Sequence, residues 1–220
     1  EQHKTNIYLV HISSALAINR LKKIKLFNPF VKVETTSPYL SITKYSVNSN
    51  CIKMEPPFRD FSDVEELWEA VCDNTVDSIG TDNVTMTMNE KNINANIWDV
   101  VPGYNALATQ LPIILHEGVI KRGLPIEKVI EKITKNPAKT FGLYPQKGTI
   151  MPGSDADLVV VDMNTSKIIK STELSSRGDF SLYEGSEVSC WPIMTIKSGE
   201  VVVEKGLVKQ FKTLGKFIKR

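Results

Sequence analysis

The sequence has no long apolar run, no excess of charge of either sign and no paired cysteine motif. Its longest apolar runs, such as residues 158–161, are far shorter than the roughly 18–20 residues that a membrane-spanning helix needs. Its 27 basic and 25 acidic side chains give no electrostatic reason to expect nucleic acid as a partner. The three widely spaced cysteines, Cys51, Cys72 and Cys190, favour reduced thiols in the cytoplasm over a disulfide framework. The polar first six residues carry neither a secretory signal sequence nor a starting methionine.

What is present is the composition of a globular protein, with 41% apolar and 24% charged residues among 220. The first 80 residues alternate short apolar runs with amphipathic stretches. We predict strands at 7–10, 30–33 and 76–80, a weaker strand at 50–54, and a helix at 15–24. A second helix is predicted to begin with Ser62 as its N-cap and Glu65 completing a capping box. This alternation predicts an α/β architecture with parallel strands.

The remaining residues change in character along the chain. Residues 85–96 are polar and are predicted to form a surface loop, and helices are predicted at 105–117, 125–134 and 136–142. After residue 144 we predict only strands, at 157–162, 193–196 and 201–203, with a tight hairpin around Ser198 and Gly199. Residues 205–220 carry six basic and no acidic side chains, and four apolar residues, Leu207, Phe211, Leu214 and Ile218, fall on one helical face.

Several motifs occur in the order typical of one enzyme group. They are Val10-His11-Ile12-Ser13-Ser14, Ile79-Gly80-Thr81-Asp82, the segment 134–139 followed by Phe141-Gly142-Leu143, and the segment 148–162. Together they resemble the amidohydrolase superfamily, and specifically its cyclic amidohydrolases. Residues 177–185 and Trp191-Pro192 narrow the resemblance to hydantoinases and dihydropyrimidinases. It covers roughly residues 7–206, but only the C-terminal half of the family's protein.

The resemblance implies a fold with three parts. Residues 1–143 are expected to form the C-terminal part of a (β/α)₈ TIM-like hydrolase barrel, residues 144–206 part of a small β-sandwich, and residues 207–220 a basic C-terminal tail. Active sites of such barrels lie at the C-terminal ends of the strands. His11 and Asp82 each follow a predicted strand.

The resemblance also implies the hydrolysis of a cyclic amide or imide by two divalent metal ions, most often zinc. Such sites use a His-x-His pair, a carboxylated lysine, two further histidines and an aspartate. His11 matches the last histidine ligand, and Asp82 matches the aspartate that binds metal and moves the proton. The other four ligands have no counterpart in this sequence, and a catalytic zinc needs about three protein ligands. We therefore expect the isolated chain to be inert and to need the missing N-terminal half of the barrel as a partner.

Each of these residues is also consistent with an ordinary structural role. A histidine that ends a buried strand is often a hydrogen-bonded structural residue, and Asp82 after Gly80-Thr81 fits a turn or a helix cap. His3 and His116 are interpreted as surface or boundary residues.

Three residues depart from the family pattern. Asn83 stands where the family usually has histidine, and Glu55 and Asp99 stand at the positions of a serine and an asparagine that contact the substrate ring. An ionised carboxylate only accepts hydrogen bonds, so Asp99 lacks the donors of asparagine. Either main-chain groups hold the ring and these side chains vary freely, or the substrate or the activity has changed.

Two functions therefore remain open. The preferred one is a cyclic amidohydrolase acting on a small cyclic ureide. The alternative is a non-catalytic, oligomeric interaction protein with the same fold. The basic tail is consistent with a membrane-surface or calmodulin-binding helix, but the resemblance favours packing against a neighbouring subunit of a homo-oligomer.

Overall fold

A parallel three-stranded sheet forms the first half of the structure, a computed structural model that describes residues 5–46, 50–212 and 215–219. Its strands are β1 (Ile7–Leu9), β2 (Val31–Thr36) and β3 (Ser78–Gly80), in the order β1-β2-β3. Ile7 pairs with Val31, and Thr36 pairs with Gly80. Because all three strands run the same way, their C-terminal ends meet at one edge of the sheet.

Two helices cover one face of this sheet. Helix α1 (Ala15–Phe27) begins at Ser14, whose hydroxyl accepts a hydrogen bond from the Ala17 amide, and it buries Ile18 and Leu21. Helix α2 (Phe61–Cys72) buries Leu67 and Trp68 among other residues. The predicted apolar face of α2 (Val64, Leu67, Trp68 and Val71) is confirmed as buried. In α1 the predicted face of Leu16, Ala17, Leu21 and Ile24 is wrong except for Leu21, because Leu16 and Ile24 are exposed and Ile18 is buried instead.

The start of α2 differs from the prediction. Its N-cap is Asp60, and the capping box joins Asp60 to Asp63, so the roles predicted for Ser62 and Glu65 are wrong. The Asp63 carboxylate accepts a hydrogen bond from the Asp60 amide at 3.2 Å. A charged acceptor is favoured over a hydroxyl at the positive end of a helix dipole, which explains why the helix begins earlier.

The weaker strand predicted at 50–54 is also wrong. Asn50–Ile52 forms a single 3₁₀ turn instead. The Asn50 side-chain amide donates hydrogen bonds to the carbonyl groups of Ile93 and Ala95, and the Lys53 amide bonds back to the Asn50 carbonyl. These contacts fold the segment onto residues 93–95 and away from the sheet.

The predicted loop at 85–96 contains a short helix. Helix α3 (Met88–Lys91) is capped by Thr87, which forms a capping box with Glu90, and Lys91 at its end is buried. A single helical turn is too short to give a periodic apolar pattern, and this explains why the sequence pattern indicated only a loop.

The later helices are confirmed, with shifted ends. Helix α4 (Gln110–Leu115) runs directly into a π-helical segment (His116–Lys121), and α5 (Ile126–Glu131) and α6 (Lys135–Thr140) follow. At Gly118 the helix backbone lies against Trp68, where a Cβ atom would come within 2.8 Å of the indole ring.

An antiparallel sheet forms the last part of the structure, in the order β4 (Leu158–Ile168), β5 (Glu187–Lys197), β6 (Glu200–Glu204) and β7 (Leu207–Val208). The hairpin is confirmed: Ser198 and Gly199 at its tip have φ angles of 49° and 82°, which suit a type I′ turn.

The helical face predicted in the tail is not found in the described part of that segment. Leu207 pairs with Glu204 as an edge strand, and no helix occurs at 209–212 or 215–219. Leu214 lies outside the described residues.

One hydrophobic core joins the two sheets and their helices. It includes Val33 and Leu67 around the parallel sheet and Phe180 and Val188 near the antiparallel one. The boundaries at 143/144 and 206/207 stay predictions. No helix in the described residues is long and apolar enough to span a membrane.

Candidate active site

His11 and Asp82 occupy matching positions at the C-terminal edge of the parallel sheet. Each lies two residues beyond the end of its strand, His11 after β1 and Asp82 after β3, with β2 between them. Both residues have a φ angle of 46°, in the left-handed region that is uncommon outside glycine and is adopted mostly by asparagine, aspartate and histidine. The backbone thus turns sharply at both positions at the end where barrel enzymes carry their catalytic groups.

The two side chains are close enough for His11 to influence the pKa of Asp82. Asp82 keeps contact with solvent, but the surrounding protein partly desolvates its carboxyl group and raises its pKa above the usual value. The charge of His11 acts in the opposite direction and lowers the pKa of Asp82. The structure therefore brings together the two residues that the sequence indicated as metal ligands.

Two buried tyrosines border this pair. The Tyr104 hydroxyl donates a hydrogen bond to the Thr81 carbonyl at 2.9 Å, next to Asp82, and lies 3.3 Å from the Thr36 hydroxyl at the end of β2. Burial raises the pKa of both Tyr39 and Tyr104, and the Asp82 carboxylate raises it further. Both phenols therefore stay neutral and can donate hydrogen bonds.

Sequence reasoning missed both tyrosines as neighbours of the site. Tyr39 lies three residues beyond the end of β2, and Tyr104 directly follows Gly103. Closeness in sequence to a strand end is the signal that could have indicated Tyr39, and no local pattern marks Tyr104.

A second polar cluster lies across the three parallel strands. The Tyr8 hydroxyl donates a hydrogen bond to the Glu34 carboxylate at 2.6 Å and lies 2.7 Å from the Ser78 hydroxyl. Gly80 is required beside this cluster, because a Cβ atom there would lie 2.6 Å from the Glu34 carboxyl carbon. The glycine of the Gly80-Thr81-Asp82 motif thus leaves room for a carboxylate.

Asn83 holds backbone next to Asp82. Its side-chain oxygen accepts hydrogen bonds from the amides of Ala106 and Leu107 at 2.9 and 3.1 Å, and its amide nitrogen donates to the Thr85 hydroxyl at 2.9 Å. In this position asparagine satisfies two main-chain donors, so the replacement of the family's histidine has a structural explanation.

Glu55 and Asp99 are both exposed, on two segments that are bound to each other. The Lys53 ammonium donates hydrogen bonds to the carbonyl groups of Ile97 and Trp98, and the Gly103 amide donates to the Lys53 carbonyl. These segments are also linked to the strand ends, because the Tyr39 hydroxyl donates to the Pro56 carbonyl at 2.5 Å. Their role as ring contacts stays a prediction.

The other histidines lie elsewhere. His116 begins the π-helical segment, and its Nδ1 accepts a hydrogen bond from the Ser189 amide on β5 at 3.2 Å. Burial lowers its pKa, which keeps the ring neutral for this contact. His3 lies outside the described residues.

The donor groups fit a divalent metal ion in kind but not in number. Imidazole and carboxylate are both good zinc ligands, but a zinc site needs at least three of them from the protein. Among residues 5–46, 50–212 and 215–219, no three His, Cys, Asp or Glu side chains form a group that could hold a metal ion. His11 and Asp82 supply only part of such a site.

Comparison with known proteins gives a single family. Residues 17–202 match the amidohydrolase family. The L-hydantoinase of Paenarthrobacter aurescens is 30% identical over 217 residues, which cover 97% of this chain and 47% of that protein. The D-phenylhydantoinase of Escherichia coli O1:K1 is 28% identical over 219 residues, covering 97% of this chain and 48% of that protein.

Solved structures agree with this assignment. An L-hydantoinase (dihydropyrimidinase) from Arthrobacter aurescens superposes with a TM-score of 0.89 at 30% identity, covering 93% of this chain and 46% of that one. A D-hydantoinase (dihydropyrimidinase) from Thermus sp. superposes with a TM-score of 0.87 at 28% identity, covering 93% of this chain and 46% of that one. These matches confirm the predicted resemblance and fold class. The chain spans about half the length of the curated relatives it matches.

Proposed function

This chain belongs to the amidohydrolase family, and we propose that it is the C-terminal part of a metal-dependent cyclic amidohydrolase. The complete protein opens the ring amide of a hydantoin or a dihydropyrimidine. The observation that carries this proposal is the placement of His11 and Asp82 at the matching C-terminal ends of two parallel strands, with equal φ angles and within electrostatic range of each other.

In this proposal His11 and Asp82 are metal ligands, and Asp82 also accepts a proton and returns it to the ring nitrogen that leaves. The metal ions, probed as zinc in the test below, would supply an activated water and would polarise the ring carbonyl. Tyr104 fixes the backbone beside Asp82 through the Thr81 carbonyl. A carboxylate held in this way keeps its orientation while it takes up the proton.

The remaining metal ligands come, in this proposal, from the N-terminal half of the barrel, which is the partner that this chain needs. Two ligands are too few to hold a catalytic zinc. We therefore expect the 220-residue chain alone to bind no metal stably and to leave the ring intact.

The substrate contacts are proposed for the segments that carry Glu55 and Asp99. The small cyclic ureide lies between them, and main-chain groups of these segments supply the donors that the two carboxylates lack. A cytoplasmic location, whose reducing conditions suit the three widely spaced cysteines, completes the proposal.

The test is made on the complete protein that contains this chain. We expect ordinary turnover of hydantoin or dihydrouracil, and we expect Asp82→Asn to lower kcat at least about a hundredfold, because the asparagine amide cannot accept the proton. Turnover is measured by the appearance of the ring-opened carbamoyl product, and zinc content is measured on the same samples.

Asp73→Asn is the matched control. Asp73 is an aspartate at the C-cap of α2, before the start of β3 and therefore at the opposite end of that strand from Asp82, and its replacement is expected to leave kcat unchanged. A complete protein that binds no metal and opens neither ring would contradict the proposal and favour the non-catalytic interaction protein.

A further inference from the structure

Lys91 is a fully buried cation, with 0% of its surface exposed. Its ammonium group donates hydrogen bonds to three main-chain carbonyl groups, of Lys53 at 2.8 Å, of Val101 at 3.0 Å and of Gly103 at 2.5 Å. An ammonium has three donors, so these carbonyl groups use all of them. The Phe180 ring lies 5.9 Å from the nitrogen and provides a further favourable contact.

This arrangement is unfavourable for a cation. Burial is the main cause that lowers the pKa of Lys91 to about 8, and the neighbouring Lys53 lowers it further while Cys51 opposes the shift. A buried charge is by itself weak evidence for a role in stability. What is specific to this lysine is its set of three contacts, which join three main-chain carbonyl groups through one side chain.

The three carbonyl groups belong to two segments that the proposed function uses. Lys53 lies two residues before Glu55, and Val101 lies two residues after Asp99. The Val101 amide also bonds to the Lys91 carbonyl, and the Gly103 amide bonds to the Lys53 carbonyl. Lys91 thus lies at the junction of both segments and contacts each of them directly.

We infer that Lys91 is a positioning residue for ring binding. It holds the segments that carry Glu55 and Asp99 in one fixed arrangement and does not itself touch the ring. This inference rests on the proposed function, because it concerns where the ring of the cyclic ureide binds.

The chain offers a matched control in Lys132. This lysine is equally buried, with 1% of its surface exposed, and burial also lowers its pKa to about 8. Its ammonium group donates to the Asn74 side chain and the Val76 carbonyl, before the start of β3. Lys132→Met therefore removes the same type of group away from the two segments.

The experiment compares Lys91→Met and Lys132→Met in the complete protein. For Lys91→Met we expect KM for hydantoin or dihydrouracil to rise about tenfold with kcat changed less than threefold, which is about 1.4 kcal/mol of ring binding. We also expect faster hydrogen exchange at the amides of Val101 and Gly103. Lys132→Met is expected to leave KM unchanged, and to leave hydrogen exchange at the amides of Val101 and Gly103 unchanged. If Lys91→Met does not fold, Lys91→Gln, which keeps two donors, takes its place.

The outcomes separate the two proposals. An unchanged KM in the Lys91 variant, or an equal rise in the Lys132 variant, overturns the inference while the proposed function stands. A wild-type protein that opens neither ring contradicts the proposed function. Hydrogen exchange then decides the inference. If the amides of Val101 and Gly103 are as well protected in Lys91→Met as in the wild type, the inference is overturned. If these two amides alone lose protection, Lys91 does hold the two segments in place.

Discussion

His11 and Asp82, the two candidate site residues, share an uncommon backbone conformation. Both are ordinary residues held at a φ angle of 46°, a conformation that is uncommon outside glycine and often found at functional sites. The sequence identified both residues through their motifs. Aspartate and histidine are among the residue types that tolerate this conformation best, but residue type alone did not show that both chain segments turn in this way.

Gly178 is a residue whose lack of a side chain is required by packing. A Cβ atom there would lie 2.1 Å from the side-chain nitrogen of Asn105. That nitrogen is buried and donates hydrogen bonds to the carbonyl groups of Met86 and Phe180. The glycine therefore allows the segment 177–180 to lie close to the loop that follows Asp82.

We predict that Gly178→Ala lowers the free energy of unfolding by about 1–3 kcal/mol, because the methyl group displaces the Asn105 amide from its acceptors. Gly215→Ala is the control, since in the part of the chain that the structure describes no atom beyond its chain neighbours lies within 4 Å of its Cβ position. Urea denaturation of the two variants measures the difference, and equal stabilities would show that Asn105 moves without loss.

At the scale of elements, Asp63 joins the starts of two helices. One oxygen of its carboxylate accepts a hydrogen bond from the Asp60 amide at the start of α2, and the other accepts one from the Ala15 amide at the start of α1, at 2.8 Å. Both helix N-termini carry partial positive charge, which a carboxylate stabilises. The sequence indicated capping at this place, but it could not show that one side chain serves two helices, because Asp63 and Ala15 are 48 residues apart in the chain.

We predict that Asp63→Ala lowers the free energy of unfolding by about 1–2 kcal/mol, the range found for the loss of a helix cap. Ser62→Ala is the matched control, because Ser62 lies inside the first turn of α2 and is not its cap; we expect a change below about 0.5 kcal/mol. Thermal unfolding followed by circular dichroism measures both. A larger loss for Ser62→Ala would restore Ser62 as the N-cap.

At the scale of the whole molecule, the C-terminal tail carries exposed apolar side chains. Phe217 is 94% exposed, and Leu207 and Val208 on the edge strand β7 are 69% and 75% exposed. Exposed apolar groups close together mark interaction surfaces in soluble proteins. This supports the predicted packing of the tail against a neighbouring subunit.

We predict that truncation of the complete protein after Gly206 lowers its apparent mass in size-exclusion chromatography, because the subunit contact is lost. Phe217→Asp is expected to weaken the same assembly without removing β7, and Lys216→Ala, which changes a neighbouring charge only, serves as its control. An unchanged mass for both the truncation and Phe217→Asp would exclude the tail as an assembly contact.

The amino-acid sequence by itself indicated the alternation of strands and helices in the first half, the hairpin at Ser198 and Gly199, and His11 and Asp82 as candidate site residues. Each depends on local patterns: apolar periodicity, turn residues and short motifs next to strands. Only the tertiary structure decided that Asp63 caps two helices, that residues 85–96 contain a helix ending in buried Lys91, and that Tyr104 contacts the backbone beside Asp82. These features depend on contacts between residues far apart in the chain, and local patterns carry no information about such contacts. The near balance of 27 basic and 25 acidic side chains likewise gave no indication that Lys91 is buried, because composition counts charged residues and does not show where they lie.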